Sequence, residues 1–180
     1  MIGIGIGFIV GLLLWTLLEY VLHRFAGHDR RLGKHVRKEH LMHHAQPDHF
    51  STLAKKLVLA VPVVGALALV LVPIFGAAGA ACVAGVVVGW TFYERLHRAT
   101  HVRGPKSRYG RWARRHHLHH HFEDSNTNHG VTSPLWDWAF GTLAAPGEVR
   151  VPRRHVRCFA WLLGDDARIK AEYEGAYRLV

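Results

Sequence analysis

Residues 114 to 122 read RRHHLHHHF, with five histidines in six positions directly behind two arginines. Protonated imidazoles crowded beside fixed cations repel one another, so the run makes sense if the rings stay neutral and share a Lewis acid, a metal ion. Three further clusters carry the same signal. In EHLMHH, His43 and His44 follow His40 by three and four residues and so share its helix face. His117, His120 and His121 repeat that HxxHH spacing, and in YERLHRATH the series Tyr93, His97, His101 advances by fours. In EYVLHRFAGH, His23 and His28 are five apart, about 140° of rotation on a regular helix. They can face one site only if the helix ends or bends, for which Gly27 is available. The adjacent pairs His43/His44 and His120/His121 point about 100° apart, so one pair can serve two metals, or one metal each with a shared water between.

The type of ligand narrows the chemistry. Glu39 precedes His40 and stands four after His35, giving HxxxEH, which matches neither HExxH nor HxxEH and disfavours a zinc hydrolase. The clusters hold no thiolate and few carboxylates, leaving an all-nitrogen site suited to iron, zinc or copper. His35, His49 and His155 fall outside the repeat pattern and read as surface or supporting residues, while His116, His119 and His129 are left unassigned. Cys82 and Cys158 lack zinc-finger spacing and cannot build a disulfide framework, so they read as reduced packing residues.

The elements that must position these rings are membrane helices. Residues 1 to 22 carry one charge, Glu19, and the 36 residues from 57 to 92 carry none. The first stretch makes a helix of about 33 Å, enough for a hydrocarbon core of about 30 Å. The second would be about 55 Å as one helix, and Pro73, Gly76 and Gly79 near its middle make it a hairpin of two short spans. The expected architecture is all-α, with spans near 2–22, 57–74 and 77–93 and polar histidine-rich segments at 23–56 and 94–180, forming one membrane domain over residues 1–180. MIGIGIG lacks the basic region of a secretory signal, so the first span reads as mature structure.

All 23 Lys and Arg fall in the two polar segments, eight in the first and fifteen in the second, which puts both segments and all 16 histidines on the cytoplasmic face. The net charge of +10 fits basic flanks beside anionic lipid, and no nucleic-acid-binding motif accompanies it. Gly3, Gly7 and Gly11 do not match GxGxxG; they form a stripe at intervals of four that lets another helix approach. SPLWDWAFG and AAPGEVRVPRR read as turn-containing surface structure, and DDARIKAEYEGAYRLV as a terminal helix.

The order HxxxxH, HxxHH, HxxxH, HxxHH followed by NHGVTSPLWDWAFGT resembles the fatty acid hydroxylase / sterol desaturase superfamily of integral-membrane di-metal oxygenases. EYVLHRF, YERLH and RRHHLHHHF with VTSPLWDWAFGT look nearest to the fatty acid (ceramide-type) 2-hydroxylases, over roughly residues 15 to 143. The resemblance implies a helical membrane stem of three or four spans with a cytosolic cap, in which about ten histidines hold two iron ions, replaceable by zinc in isolated protein, that activate O2. By position the ligands would be His23, His28, His40, His43, His44, His97, His101, His117, His120 and His121. Tyr93 and Asn128 match family positions near the site, and Glu19, one turn before His23, is a candidate acceptor for that ring's second N–H.

The implied activity is O2-dependent hydroxylation of a fatty acyl or ceramide-type C–H bond in the plasma membrane of a bacterium or the endoplasmic reticulum of a eukaryote. The sequence shows no fused haem domain, so electrons would come from a separate b-type cytochrome, or a ferredoxin with its reductase. Oxidation or desaturation of a sterol, carotenoid or alkyl lipid is the alternative within the same chemistry. A non-catalytic membrane protein that binds or transports zinc is the alternative outside it, disfavoured because residues 57 to 92 offer no ionisable group at depth.

Overall fold

The computed structural model describes residues 1–29, 31 and 33–180. Its helices are α1 (Ile2–Val21), a π-helical turn (Leu22–His28), α2 (Lys34–Ala45), α3 (Leu53–Phe75), α4 (Ala77–Val102), α5 (Arg108–Phe122) and the short α6 (Leu135–Ala139). Strands β1 (Val149–Val151) and β2 (Tyr177–Leu179) complete it, with 3₁₀ turns at Arg153–Leu162 and Ala171–Tyr173. The chain divides into two compact units, Met1–Glu19 with Ser51–Glu94, and Tyr20–Phe50 with Arg95–Val180.

The first unit is apolar. Three helices among the described residues are long and apolar enough to cross a bilayer, Ile2–His28, Leu53–Phe75 and Ala77–Val102. They run further at the polar ends than the charge-free stretches suggested, because helical hydrogen bonding continues through residues that composition alone would exclude. Gly76 makes the hairpin: its φ of 54° is the left-handed region, and its N–H closes on the Val72 carbonyl at 2.8 Å. No residue of α3 is buried, and side chains such as Leu69 (79% exposed) point outward, the arrangement a lipid-facing helix requires.

Small residues set the helix contacts. A Cβ on Gly7 would lie 2.2 Å from the Ala78 carbonyl oxygen, and one on Gly11 would lie 2.0 Å from that of Cys82. Gly85 of α4 returns the contact, its Cβ position falling 2.3 Å from the Phe8 carbonyl oxygen. Gly3 stands in open space, so the stripe works through two of its three members. Gly11→Val is therefore expected to force α1 off α4 and cost about 2 kcal/mol or more. Thermal unfolding of purified protein in detergent checks this, with Gly3→Val as the neutral control. Both cysteines are free thiols.

The second unit carries the histidines on α2, α4, α5 and the π-helical turn, and its apolar core lies under α5. Leu118 packs there with Val149, Val151, Phe159, Trp161, Leu162, Tyr173 and Tyr177. Ser107 caps α5 by accepting the Gly110 N–H at 3.0 Å. The end of α4 is held by Arg114, which donates to the carbonyls of Ala99 and Arg103, each at 2.8 Å, and by the Trp161 indole N–H on the His101 carbonyl, also at 2.8 Å.

The last residues correct an expectation. DDARIKAEYEGAYRLV is not a helix: Ala167 and Gly175 take positive φ, 60° and 73°, and break the run. Its end is β2, parallel to β1 in the register Val149↔Tyr177 and Val151↔Leu179. Burying Tyr173 and Tyr177 against Trp161 favours the extended form over an isolated terminal helix. AAPGEVRVPRR likewise supplies β1, whose Val149 and Val151 are fully buried rather than on the surface. The fold is thus mainly helical with one small parallel sheet added.

Candidate metal centre

The ten histidines singled out by spacing and resemblance all lie in the second unit and separate into two groups of five. His23, His28, His40, His44 and His120 form one; His43, His97, His101, His117 and His121 form the other; within each, one nitrogen per ring lies within 4.8 Å of all the rest. The π-helical turn explains the first pair. Its i→i+5 winding brings His23 and His28 to one face, with ring centroids 5.5 Å apart. The expected bend at Gly27 is not what joins them. Gly27 is small for another reason: a Cβ there would meet the His40 ring at 3.0 Å.

Helices α2 and α5 each serve both groups. His40 and His44, one turn apart, join the first group while His43 crosses to the second; His117 and His121 join the second while His120 crosses to the first. Adjacent rings therefore part company, as a 100° step requires. Where the groups meet, His44 and His121 stack at 4.1 Å with their planes 10° apart.

The hydrogen bonds at the far side of the rings fix what faces inward. His23 donates from Nδ1 to the His129 carbonyl, His120 from Nδ1 to the Thr127 carbonyl at 2.7 Å, and His43 from Nδ1 to the His49 carbonyl at 2.8 Å. A neutral imidazole has one N–H, so in each of these rings Nε2 is a bare lone pair. They converge with the Nε2 atoms of the other rings: in the first group Nε2 of His40 lies 3.1 Å from His23, 2.8 Å from His28 and 3.0 Å from His44, and Nε2 of His120 lies 3.0 Å from His28 and 3.1 Å from His44. In the second, Nε2 of His101 and His117 face each other at 2.9 Å, and the two buried nitrogens of the half-buried His121 have no hydrogen-bond partner among the described residues.

Protons alone do not satisfy five converging nitrogens once the bare Nε2 atoms of His23, His120 and His43 are among them; a cation in each group would, and the donor set fits iron, zinc or copper. Burial, reinforced by the neighbouring histidines, holds His40, His117, His120 and His121 well below the usual histidine range. His44 is lowered to about 3 for the same reason. These rings are uncharged and ready to ligate at neutral pH.

Two residues that spacing left unassigned or overlooked support the first group. His129 is buried with its ring 5.2 Å from that of His120, and its carbonyl takes the His23 proton. Asp137, fully buried in α6, fixes that carbonyl by accepting from the N–H of His129 at 2.8 Å and of Gly130 at 2.7 Å, and from the Thr142 hydroxyl at 2.8 Å. His116 approaches it to 3.5 Å. LWDWA is thus not simply surface structure: a lone acid inside an aromatic run was the available signal.

The other singled-out residues have partners of their own. The Nδ1 proton of His23 goes to the His129 carbonyl, while Glu19 and Tyr93 belong to the first unit, where Glu19 is buried and Tyr93 packs against Trp15 at 5.6 Å. Asn128, at a φ of 56°, pairs its amide with both backbone groups of Ala144 at 2.8 and 3.0 Å, so it shapes the loop that presents His129 rather than facing the rings. His35 is exposed, and His155 stacks on Phe122 at 5.9 Å. His49 contributes its carbonyl to His43 and its ring to Glu39 at 3.3 Å.

A family model described as fatty acid hydroxylase matches residues 8–142, three quarters of the chain and every one of the ten histidines. The chain belongs to the fatty acid hydroxylase family. Among relatives in this family, a dihydroceramide fatty acyl 2-hydroxylase of Arabidopsis thaliana is 35% identical over 150 residues, covering 79% of this chain and 61% of the relative. A ceramide very long chain fatty acid hydroxylase of Schizosaccharomyces pombe is also 35% identical, covering 75% and 41%. A fatty acid 2-hydroxylase of Homo sapiens is 32% identical, covering 76% and 39%. The chain therefore spans about 40 to 60% of the length of these curated relatives. A solved structure described as full-length scs7p, with only its hydroxylase domain visible, superposes with a TM-score of 0.62 at 27% identity, covering 78% of this chain and 56% of that one.

Within this family fold, the close approach at Gly27 gives a sharp expectation. Gly27→Ala pushes the His40 ring away from the other four nitrogens and should lower metal affinity about 10-fold. Competitive metal titration against a chromophoric chelator measures it, and the second group, which lacks His40, keeps its ion.

Proposed function

We propose that this membrane protein hydroxylates a C–H bond of a fatty acyl or ceramide-type lipid, using O2 and electrons delivered by a separate carrier. The observation that supports the reading is the convergence of ten histidine nitrogens into two adjacent five-membered groups in a chain of the fatty acid hydroxylase family. Two iron ions held by these groups, when bound, would supply the reductive activation of dioxygen. In the overall reaction one oxygen atom enters the C–H bond, the other leaves as water, and two electrons and two protons come from the donor.

The chain's own part is geometric and electrostatic. The carbonyls of His129, Thr127 and His49 hold the rings of His23, His120 and His43 in the tautomer that ligates. Burial of His101, His117 and His120 excludes water from the reacting volume. The candidate spans would anchor the chain in the bilayer that supplies the acyl substrate, and the distribution of Lys and Arg supports a cytoplasmic site. The net charge of +10 suits an acidic partner, a b-type cytochrome or a ferredoxin.

Expression of the chain with an electron donor under ¹⁸O2, followed by mass spectrometry of extracted lipids, tests the reading. The expected product is a hydroxyacyl lipid carrying one ¹⁸O atom. A labelled sterol or carotenoid, or a desaturated product, would shift the substrate or the outcome within the same chemistry. Tightly held zinc with no oxygen uptake under any donor would replace the oxygenase with a metal-binding role.

A further inference from the structure

The segment from α6 to Leu143 is built inside out for a water-facing loop. Its carboxylate, Asp137, is fully buried, whereas Leu135 (40% exposed), Trp138 (71%), Phe140 (53%) and Leu143 (45%) point outward. Polar groups satisfied inside with large apolar side chains outside is the pattern of a surface that meets lipid rather than water. The segment is not loosely placed. Phe140 stacks on Tyr20 at 5.3 Å with planes 18° apart, and the Tyr20 hydroxyl and Thr142 Oγ1 share a hydrogen bond of 3.0 Å, while Thr142 in turn donates to Asp137.

Tyr20 belongs to a candidate membrane span, Ile2–His28, and the same span exposes Leu22 (41%) and Phe25 (38%) in this unit. The outward face of residues 135–143 thus adjoins the exposed apolar side chains at the end of that candidate span. Arg24 marks the polar edge: its guanidinium donates to the Tyr20 hydroxyl at 2.7 Å and lies 5.2 Å above the Phe25 ring, the posture of a cation whose stem is in the apolar zone and whose head is at the boundary. Tryptophan and phenylalanine beside such a cation have the composition of a bilayer interface.

We infer that residues 135–143 form an interfacial membrane contact, with Trp138, Phe140 and Leu143 inserted among lipid acyl chains beside the end of the first span. The loop seated in lipid on its outer side is the one whose inner side, through Asp137 and His129, orients His23. A lipid surface therefore meets the protein one layer of backbone away from the first histidine group. This contact does not rest on the hydroxylase reading, since its test reads depth in the membrane and not turnover.

The test places an environment-sensitive nitrobenzoxadiazole label at Trp138→Cys, in the full chain with Cys82→Ala and Cys158→Ala, reconstituted in phosphatidylcholine vesicles. Quenching by a nitroxide at carbon 5 of the lipid chain is expected to exceed that of a label at the exposed Arg153→Cys by about 3-fold, with the opposite order for aqueous iodide. Should the cysteine-free background fail to fold, Trp138→Phe in the otherwise native chain supplies the second measurement: the fluorescence lost on substitution should be the part that brominated lipid quenches. Equal iodide quenching at positions 138 and 153 would overturn the proposal in favour of a water-facing loop. Protection from both quenchers with a dimer by sedimentation would overturn it in favour of a second copy of the chain.

Discussion

His120→Ala is expected to reduce turnover by more than about 100-fold and to remove one metal ion per chain while leaving the other. The ring is fully buried, its Nε2 lies 3.0 Å from that of His28 and 3.1 Å from that of His44, and its Nδ1 proton is fixed on the Thr127 carbonyl. Truncation removes a central nitrogen of the first group, leaves that carbonyl without its donor, and opens a cavity that water can enter. The second group contains no atom of this ring, so retention of its metal separates a lost ligand from a lost fold. His155→Ala supplies the control. That ring stacks on Phe122 outside both groups, and its removal should leave metal content unchanged and turnover within about 2-fold. Elemental analysis alongside product formation measures both, and equal effects of the two substitutions would overturn the ligand assignment.

Asp137→Ala is expected to be the most destabilising single change in the second unit, by about 3 to 5 kcal/mol. It strands the N–H groups of His129 and Gly130 and the hydroxyl of Thr142 in a site with no water-exposed alternative, each costing about 1 to 3 kcal/mol before relaxation. It also frees the His129 carbonyl that orients His23, so metal affinity in the first group should fall by about 10-fold or more. The pH dependence has a definite sign. Burial alone would push this carboxyl up, but the close His116 ring and the hydrogen bonds from Gly130, Thr142 and His129 outweigh it and hold the group below the usual carboxylate range. Its contribution is therefore complete above that range and disappears as pH falls through the lowered value. Thermal melts of wild type and variant should differ most at neutral pH and converge on acidification.

The contrast between these two residues shows what a sequence can reveal. His120 belongs to a repeat whose spacing of three and four matches the helical turn, so its face is readable without any tertiary information. The spans were equally legible, since a charge-free run of 36 residues broken by Pro73 and Gly76 admits few other readings. Asp137 and His129 act through space and largely through the backbone. A carbonyl acceptor has no side-chain identity to detect, and the residues that make it useful lie over a hundred positions away, as with His23 and His129.

The same limit explains the other departures. The pairing of His23 with His28 depends on an i→i+5 turn, a backbone choice that the identities of residues 22 to 28 do not announce. Strand β2 exists because Val149 and Val151 lie beside it and Trp161 offers Tyr177 a buried face. Periodicity within DDARIKAEYEGAYRLV carries no trace of those partners, and the local bias toward helix loses to burial.

The two groups of five nitrogens predict that the ten histidines hold a pair of ions. Anaerobic reconstitution with ferrous iron, followed by elemental analysis and Mössbauer spectroscopy of wild type, His120→Ala and His121→Ala, tests it most directly. Two irons per chain in nitrogen-rich coordination, falling to one in either variant with a different spectral component lost in each, is the predicted result. One iron or fewer in the wild type, or two retained in both variants, would contradict it.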